Sequence, residues 1–497
     1  MAFVLCPCER KADEMTGKVL KNRIFNNLDS PMVFFSLFSA WTLAIVFMGQ
    51  AMNAHAVEMQ IESTGFVTGL TLLATISGLI VTGFYIKTME KARLAIEASI
   101  ILSIVGTAVF FIKSPILWQI SMIVLSFVAG TVIACWGIYF KGYKTSNEKL
   151  QAAANIIIYS NVGMIIINVI SANISTYLGI SVSLMMLLIS FYFFLMDKKS
   201  ANSQVQRGED EKERHMPLLK KSLILLYLFI ALITIDSGMM YNIVNPAFSH
   251  HVQLISFYWA VPYIGTIFLL KKLPERINRS YVLYMAVAMI GFAYILFYLL
   301  DKSALSYVII DTFMLGAFGI CDLFWWVILG EMLAFTNNPI KIFGIGLSAN
   351  VLGVFFGYAM CSALNIMPEQ ISVSIALGIV LISLLVLPKL YDELSRLIKN
   401  QAFLIGLTKN RGSAREEVDS KEEVREREPD FMEVFGLTGR EAEIARLLLG
   451  GRTYKMIGQE LFISENTVKT HIKNIYTKMN VVNKTEFLEM MKITRKR

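Results

Sequence analysis

Charge is what most of this sequence lacks. Of its 497 residues only 17% are Asp, Glu, Lys or Arg, and 55% are hydrophobic. Soluble domains carry about 25% charged residues, so a wholly soluble reading is excluded for most of the chain. The charged residues crowd into short loops and into everything after about Tyr391, which implies two unlike parts. Cysteine is also scarce, at five residues. Cys135, Cys321 and Cys361 sit in apolar runs where a thiol acts as a small hydrophobe. Cys6 and Cys8 form a C-P-C with no further ligands nearby, so neither a disulfide framework nor a metal site is expected. His55, His250 and His251 fall in expected external loops as solvated residues. There is no phosphate-cradling Walker loop, no Ser-His-Asp order and no acidic receiver domain. These absences argue against an enzyme, against a cofactor and against control by receiver phosphorylation. The opening "AFVL" is too short for a secretory signal and precedes the basic residues, and Met15 is an alternative start.

What is present is a series of apolar stretches, each near the ~20 residues a helix needs to cross a bilayer. Twelve are expected, over 31–53, 65–86, 94–112, 115–140, 152–172, 177–196, 221–243, 252–270, 281–300, 304–331, 341–364 and 371–390. Alternate loops carry the cations, among them Lys87, Lys91, Arg93, Lys141, Lys144, Lys149, Lys271, Lys272 and Lys341, whereas the intervening loops offer only Lys113 and Lys302. The positive-inside rule then puts both termini in the cytoplasm of a multi-pass protein of the inner membrane.

The longest inter-span loop, "DKKSANSQVQRGEDEKERHMPLLKK", separates six spans from six. A 6+6 array with a polar central loop resembles the major facilitator superfamily, over about residues 25–392. That family carries G-x-x-x-D-R/K-x-G-R between its second and third spans. Here the stretch reads "GFYIKTMEKAR": Gly83 is present, Lys87 replaces the acid and the second glycine is missing. The resemblance implies the fold and leaves transport in doubt. The expected parts are an N-terminal tail over 1–30, a first half over 31–196, a central loop over 197–220 and a second half over 221–391.

Acids inside a span are costly, so each is by default a hint of function. Asp236 lies within the seventh stretch, and Asp311 and Asp322 in the tenth. Eleven residues is three helical turns, so Asp311 and Asp322 share a face, with Gly319 and Trp325 near it. One reading is a ligand pocket lined by Asp236, Asp311, Asp322 and Trp325 between the halves. The other is acids hydrogen-bonded to neighbouring helices or wetted near the interface. Asn155, Asn161, Asn168 and Asn173 read as glue between helices, and Gly353 and Gly357 as a G-x-x-x-G close approach.

After Pro388, Leu390, Leu394, Leu397 and Ile398 form the stripe of an amphipathic helix, lying on the membrane or pairing with a second copy. "TKNRGSAREEVDSKEEVREREPD" then reads as flexible, completing a linker over 392–431. Residues 432–497 punctuate four short helices. Thr438 and Glu441 form a capping box before "LTGREAEIARLLLGG", Thr453 caps "TYKMIGQEL", Ser464 caps "ENTVKTHIKNIYTKM", and Asn483 with Glu486 forms a second box. Ile444, Leu447, Leu448, Ile457, Leu461, Ile463, Val468, Ile472, Ile475 and Val481 supply a small core. Helix, tight turn, helix is the unit that lays its second helix in the major groove.

The run L-T-x-R-E-x-E, then G, I, L-x-I-S-x-x-T-V-K-x-H-x-x-x-I-x-x-K, resembles the LuxR/FixJ-type helix-turn-helix over about residues 435–492. Gly458 departs from the usual Ala, at some cost in helix stability. Lys469, Thr470 and Lys473 project opposite Val468, Ile472 and Ile475 and are candidates for base edges or nearby phosphates. Lys455, Asn466, Thr467 and Lys478 are placed to hold phosphates, and His471 is structural. The resemblance implies the same division of roles and a homodimer. Twelve Lys and Arg against seven Glu make residues 432–497 basic, as duplex DNA requires.

The expectation is an all-α protein: a twelve-helix, major-facilitator-like bundle in the lipid bilayer, followed by a small four-helix LuxR-type domain. It is expected to act as a one-component regulator, in which the bundle senses a small-molecule ligand and controls binding to double-stranded promoter DNA. The alternatives are an active secondary transporter with a DNA-binding regulatory tail, and a tail that only anchors DNA or partners.

Overall fold

A computed structural model describes residues 29–47, 49–61, 64–197, 216–272, 279–364, 369–416, 435–449, 454, 457–458, 461, 463–482 and 486–487. It divides into two units, Met1–Ile398 and Lys399–Arg497. Among the described residues there is no strand. The tail over 1–28, most of the central loop, the linker beyond Glu416, Cys6, Cys8, Thr453, Lys455 and Asn483 lie outside the described residues.

Twelve helices of the first unit are long and apolar enough to cross a membrane: Ser30–Glu58, Gly65–Tyr85, Met89–Phe111, Pro115–Phe140, Ser146–Asn173, Thr176–Met196, Lys221–Ala247, Leu254–Lys271, Tyr281–Leu299, Ala304–Phe335, Pro339–Cys361 and Gln370–Leu394. In that order they are spans 1 to 12. Lipid offers the backbone no hydrogen bonds, so each helix must satisfy its own. At their entries, Thr88, Ser114, Thr145 and Ser303 accept from the backbone N–H of Lys91, Leu117, Glu148 and Ser306. Each such cap stabilises by ~0.5–2 kcal/mol, and Pro115 occupies a first turn where its missing N–H costs nothing.

Span 1 departs from the expected uninterrupted run over 31–53. It comprises Ser30–Trp41, a π-helical turn Thr42–Val46 and a second helix Gln50–Glu58. The turn adds a residue to the ring and lets the chain bend. The longer helix carries His55 into the interior, which corrects its reading as a solvated loop residue. Its ring is fully buried, with Nε2 donating to the Phe110 carbonyl at 3.0 Å. His250 is exposed, with Nε2 at 2.9 Å from the Lys302 carbonyl.

At the other end of the bundle, Pro388 does not break the chain. One helix, Glu369–Glu416, runs through it and through the first residues expected to be flexible. Proline is tolerated there because a membrane-spanning helix packed by neighbours can absorb one missing hydrogen bond. Leu390 and Leu394 of the expected stripe are buried; the side chains of Leu397 and Ile398 lie outside the described residues.

The halves meet through spans 2, 4 and 5 of the first and spans 8, 10 and 11 of the second. Within the second half, spans 7 and 11 approach closely because of the G-x-x-x-G. A Cβ on Gly353 would lie 2.4 Å from the Ala231 carbonyl oxygen, and one on Gly357 would lie 2.2 Å from that of Ile235. Aromatic packing joins the halves: Trp326 of span 10 lies 6.1 Å from Phe35 and 6.2 Å from Phe140, ring centre to ring centre.

Polar ties between the halves gather at the end that carries the basic loops. Lys149 pairs with Glu331 at 3.1 Å, and Lys141 Nζ donates to the Thr336 carbonyl at 2.7 Å. Lys271 Nζ donates to Asn155 Oδ1 at 2.6 Å, and Asn338 Nδ2 to the Gly83 carbonyl at 3.1 Å. At the opposite end Gln50 Nε2 donates to the Ser256 carbonyl at 3.3 Å. Two of the four asparagines therefore join helices, since Asn168 Oδ1 also accepts from the Ala51 N–H. Asn161 and Asn173 return instead to carbonyls of their own helix.

The second unit holds the helices Gly439–Leu449 and Glu465–Met479 around a core of Ile444, Leu448, Ile457, Val468, Ile472, Ile475 and Val481, with Leu447, Leu461 and Ile463 packed against it. Met479 and Phe487 join the core as well. Gly458 has a positive reason to be glycine. A Cβ there would lie 2.7 Å from the Ile463 carbonyl oxygen, in the turn that the Ile463 N–H closes onto the Gly458 carbonyl at 2.9 Å.

Candidate functional site

The helix Glu465–Met479 divides cleanly. Val468, Ile472, Ile475 and Met479 are buried at helical spacing, and the opposite face presents Asn466, Lys469, Thr470 and Lys473 to solvent. Ser464 fixes its start, accepting from the Thr467 N–H at 3.1 Å, with the two hydroxyl oxygens 2.8 Å apart. Thr467 is thus part of the cap as well as exposed. Asn480, in the left-handed region at φ +53°, ends the helix, and the Val481 N–H returns to the Tyr476 carbonyl. Lys469 carries a surface pair with Glu465 at 2.9 Å. Such a pair is worth ~0.3–0.5 kcal/mol, so it holds the Lys469 ammonium only weakly.

Lys478 is engaged differently. Its ammonium lies 2.7 Å from the Glu441 carboxylate, which is 4% exposed. The same carboxylate accepts from the Thr438 N–H at 2.9 Å, while Thr438 Oγ1 accepts from the Glu441 N–H at 3.4 Å. The expected capping box therefore exists, and Lys478 bolts the reading helix to it. Asn474 and Thr477, exposed beside Thr470 and Lys473, are additions to the residues singled out in the sequence. Their i+4 spacing from those residues is the signal that identifies them. His471 is half-buried. Glu486 Oε2 accepts from the Val482 N–H at 2.8 Å, the half of the second box that is described.

Burial works to raise the Glu441 carboxyl, but Lys478 and Thr438 outweigh it and hold the group below its ordinary value of 4.5. A depressed folded-state value means that the stabilisation is present above the unfolded-state value and is lost as pH falls through the folded one. The reading unit should accordingly lose stability below about pH 4.5, the unfolded Glu value. Glu441→Gln keeps an acceptor for the Thr438 N–H but loses the charge facing Lys478; it should flatten that dependence and cost about 1 kcal/mol at neutral pH. Hydrogen exchange over residues 439–479, corrected for the intrinsic pH dependence of exchange, reads both effects. Equal acid sensitivity in the two proteins would contradict the assignment.

In the bundle, Tyr241 of span 7 interacts electrostatically with both Asp311 and Asp322. Asp322 accepts a hydrogen bond from the Tyr263 hydroxyl of span 8. Asp311 is fully buried, and neither of its oxygens has a hydrogen-bond partner among the described residues. Asp236 is also buried without a partner for its carboxylate among them; its backbone carbonyl accepts from Tyr294 at 3.1 Å, and its electrostatic neighbours include Tyr294 and Cys321. Trp325 is 1% exposed, with no partner for Nε1 among the described residues. Among the described residues no group of three or more His, Cys, Asp or Glu is arranged to hold a metal ion.

Comparison with known proteins agrees with this division. Residues 436–491 match the family described as bacterial regulatory proteins, luxR family. The chain is 50% identical over 50 residues to the transcriptional regulatory protein DegU of Brevibacillus brevis, a stretch covering 10% of this chain and 21% of that protein. It is 54% identical over 50 residues to the transcriptional regulatory protein LiaR of Bacillus subtilis (strain 168), covering 10% and 24%. The chain thus spans about a fifth to a quarter of the length of these relatives. The bundle superposes on the human organic anion transporter MFSD10 (TETRAN) with a TM-score of 0.57 at 11% identity, covering 72% of this chain and 97% of that one. For a point mutant of the nucleoside transporter NupG the TM-score is 0.51 at 12% identity, covering 73% and 98%. At such identity the likeness concerns the fold alone. Residues 436–491 are thus a helix-turn-helix domain of the luxR kind, on a chain whose twelve helices long and apolar enough to cross a membrane share the fold of these two transporters.

Proposed function

We propose that this is a membrane-embedded one-component transcription regulator, whose bundle senses a small ligand and controls promoter binding by the C-terminal domain. The observation that carries the reading is the exposed cationic face of Glu465–Met479, on the same polypeptide as a bundle whose halves are tied by Lys149 and Glu331. Lysine-bearing loops alternate with loops nearly free of cations, which supports a cytoplasmic location for both termini and for the reading domain. Lys469, Thr470 and Lys473 read or approach base edges; Asn466, Thr467 and Lys455 hold phosphates. Lys478 pairs with Glu441 and, 36% exposed with further N–H donors, also holds a phosphate.

Switching is a shift between two packings of the halves, one with the basic end tied and one with it released. A ligand moves that balance only by binding one packing better. The shift changes the pairing of two copies of the helix Glu369–Glu416 and with it the spacing of two reading helices on half-sites. Dimeric reading of half-sites separated by one turn is the usual geometry for helix-turn-helix proteins.

The second reading, an active transporter with a regulatory tail, is favoured by Asp236, Asp311 and Asp322 within the spans. Vesicles containing the full chain separate the two. The sensor reading expects saturable ligand binding without accumulation, and a change in DNA affinity on binding. Accumulation against a gradient would establish transport instead.

A further inference from the structure

The interior of the second half holds acids without bases. Among the described residues no Lys or Arg pairs with Asp236, Asp311 or Asp322, and the lysines at the ends of these spans are occupied. Lys271 donates to Asn155, Lys341 lies over the Phe84 ring at 4.4 Å and Lys302 over the Phe297 ring at 3.3 Å. Phenols neighbour the acids: Tyr263 donates to Asp322, and Tyr241, 57% exposed, interacts electrostatically with Asp311 and Asp322. Asp322 is part-exposed, and the Trp259 ring lies 6.4 Å from that of Tyr263. Asp311, three helical turns or about 16 Å along span 10, is fully buried with no partner for either oxygen among the described residues.

An unpaired carboxylate in a dry interior is costly, and a cation brought beside it removes that cost. Phenol faces attract cations, and the same constellation repels anions. We propose that Asp322 binds an organic cation, its ammonium set against that carboxylate and its apolar body against the rings of Tyr263, Trp259 and Tyr241. The proposal names the chemical class of the sensed ligand and so rests on the sensor reading for its regulatory meaning, though not for its binding chemistry. The rival occupant of the acids is the proton alone.

The test uses the full chain in lipid nanodiscs with 2-phenylethylammonium and tetraethylammonium as probes, and 3-phenylpropanoate as a control of similar shape and opposite charge. Binding is read by thermal shift and by tryptophan fluorescence. Saturable binding of a cation and none of the anion is expected. Asp322→Asn should weaken binding by about tenfold or more, the scale of a lost charge-assisted contact, whereas Asp311→Asn, about 16 Å away along the helix, should change it little. Should an Asp variant fail to fold, Tyr241→Ala, at an accessible position, should weaken binding while Tyr241→Phe retains it. No cation binding, equal binding of the anion, or unchanged affinity in Asp322→Asn and Tyr241→Ala would overturn the proposal and leave the acids to protons. DNA affinity measured on the same samples keeps the two ideas separable. Cation binding without a change at DNA keeps the site and removes its regulatory meaning, whereas no cation binding together with a change at DNA caused by a neutral or anionic compound removes the site and keeps the sensor.

Discussion

Replacing Lys469 and Lys473 together by alanine lowers the affinity for the specific duplex by at least about thirtyfold. Each lysine, if it makes a good base-edge or close phosphate contact, contributes ~1–3 kcal/mol, and a pair one turn apart need not add fully. Both side chains stand on the exposed face opposite Val468, Ile472 and Ile475, so their removal leaves the core of the domain intact. Losing Lys469 also releases Glu465, a surface pair of little weight. The single variants separate their roles. A base contact costs affinity at one position of the site, whereas a phosphate contact costs it on every sequence and flattens the salt dependence. Full retention of affinity by the double variant would show that another face reads DNA.

Lys149→Ala moves the DNA affinity of the ligand-free protein toward that of the liganded parent. Lys149 is 4% exposed and spans 182 residues of sequence to reach Glu331 in the other half. Breaking a buried pair by removing one partner costs about 3–5 kcal/mol. Glu331 is 21% exposed, so water recovers part of this, leaving about 2–3 kcal/mol or roughly a thirty- to hundredfold shift between packings. Lys141 and Lys271 still tie the same end, which keeps the shift from being complete. DNA affinity of the full chain in nanodiscs, without ligand, should move in the direction that ligand moves it in the parent, and the exchange Lys149→Glu with Glu331→Lys should restore the parent value. A variant whose basic end opens while DNA affinity stays constant would uncouple the two units.

The spans are legible in the sequence because lipid imposes a length and a composition that no packing detail can override. Asp311 and Asp322 share a neighbour in Tyr241 because three helical turns return to one face, which spacing alone predicts. Asp236 has different neighbours, since nothing in a local pattern says which way a lone acid on another helix faces. The capping box at Thr438 and Glu441 is legible because its partners lie three residues apart. The pairing of Lys478 with Glu441 is not legible in the sequence because that partner lies 37 residues earlier. Lys149 counts there as a loop cation for the same reason: sequence gives a charge and a side of the membrane, while its partner is set by how the halves pack. The π-helical turn of span 1 and the burial of His55 have no local signature either.

The most direct measurement is the binding of the full chain, in sealed vesicles of known orientation, to a pool of genomic duplex fragments and to scrambled duplexes of equal length and composition. The account predicts selection of particular fragments, on the membrane face that also exposes the basic loops, with affinity that changes when the bundle is liganded. Equal binding of genomic and scrambled DNA, or capture only on the opposite face, would contradict it.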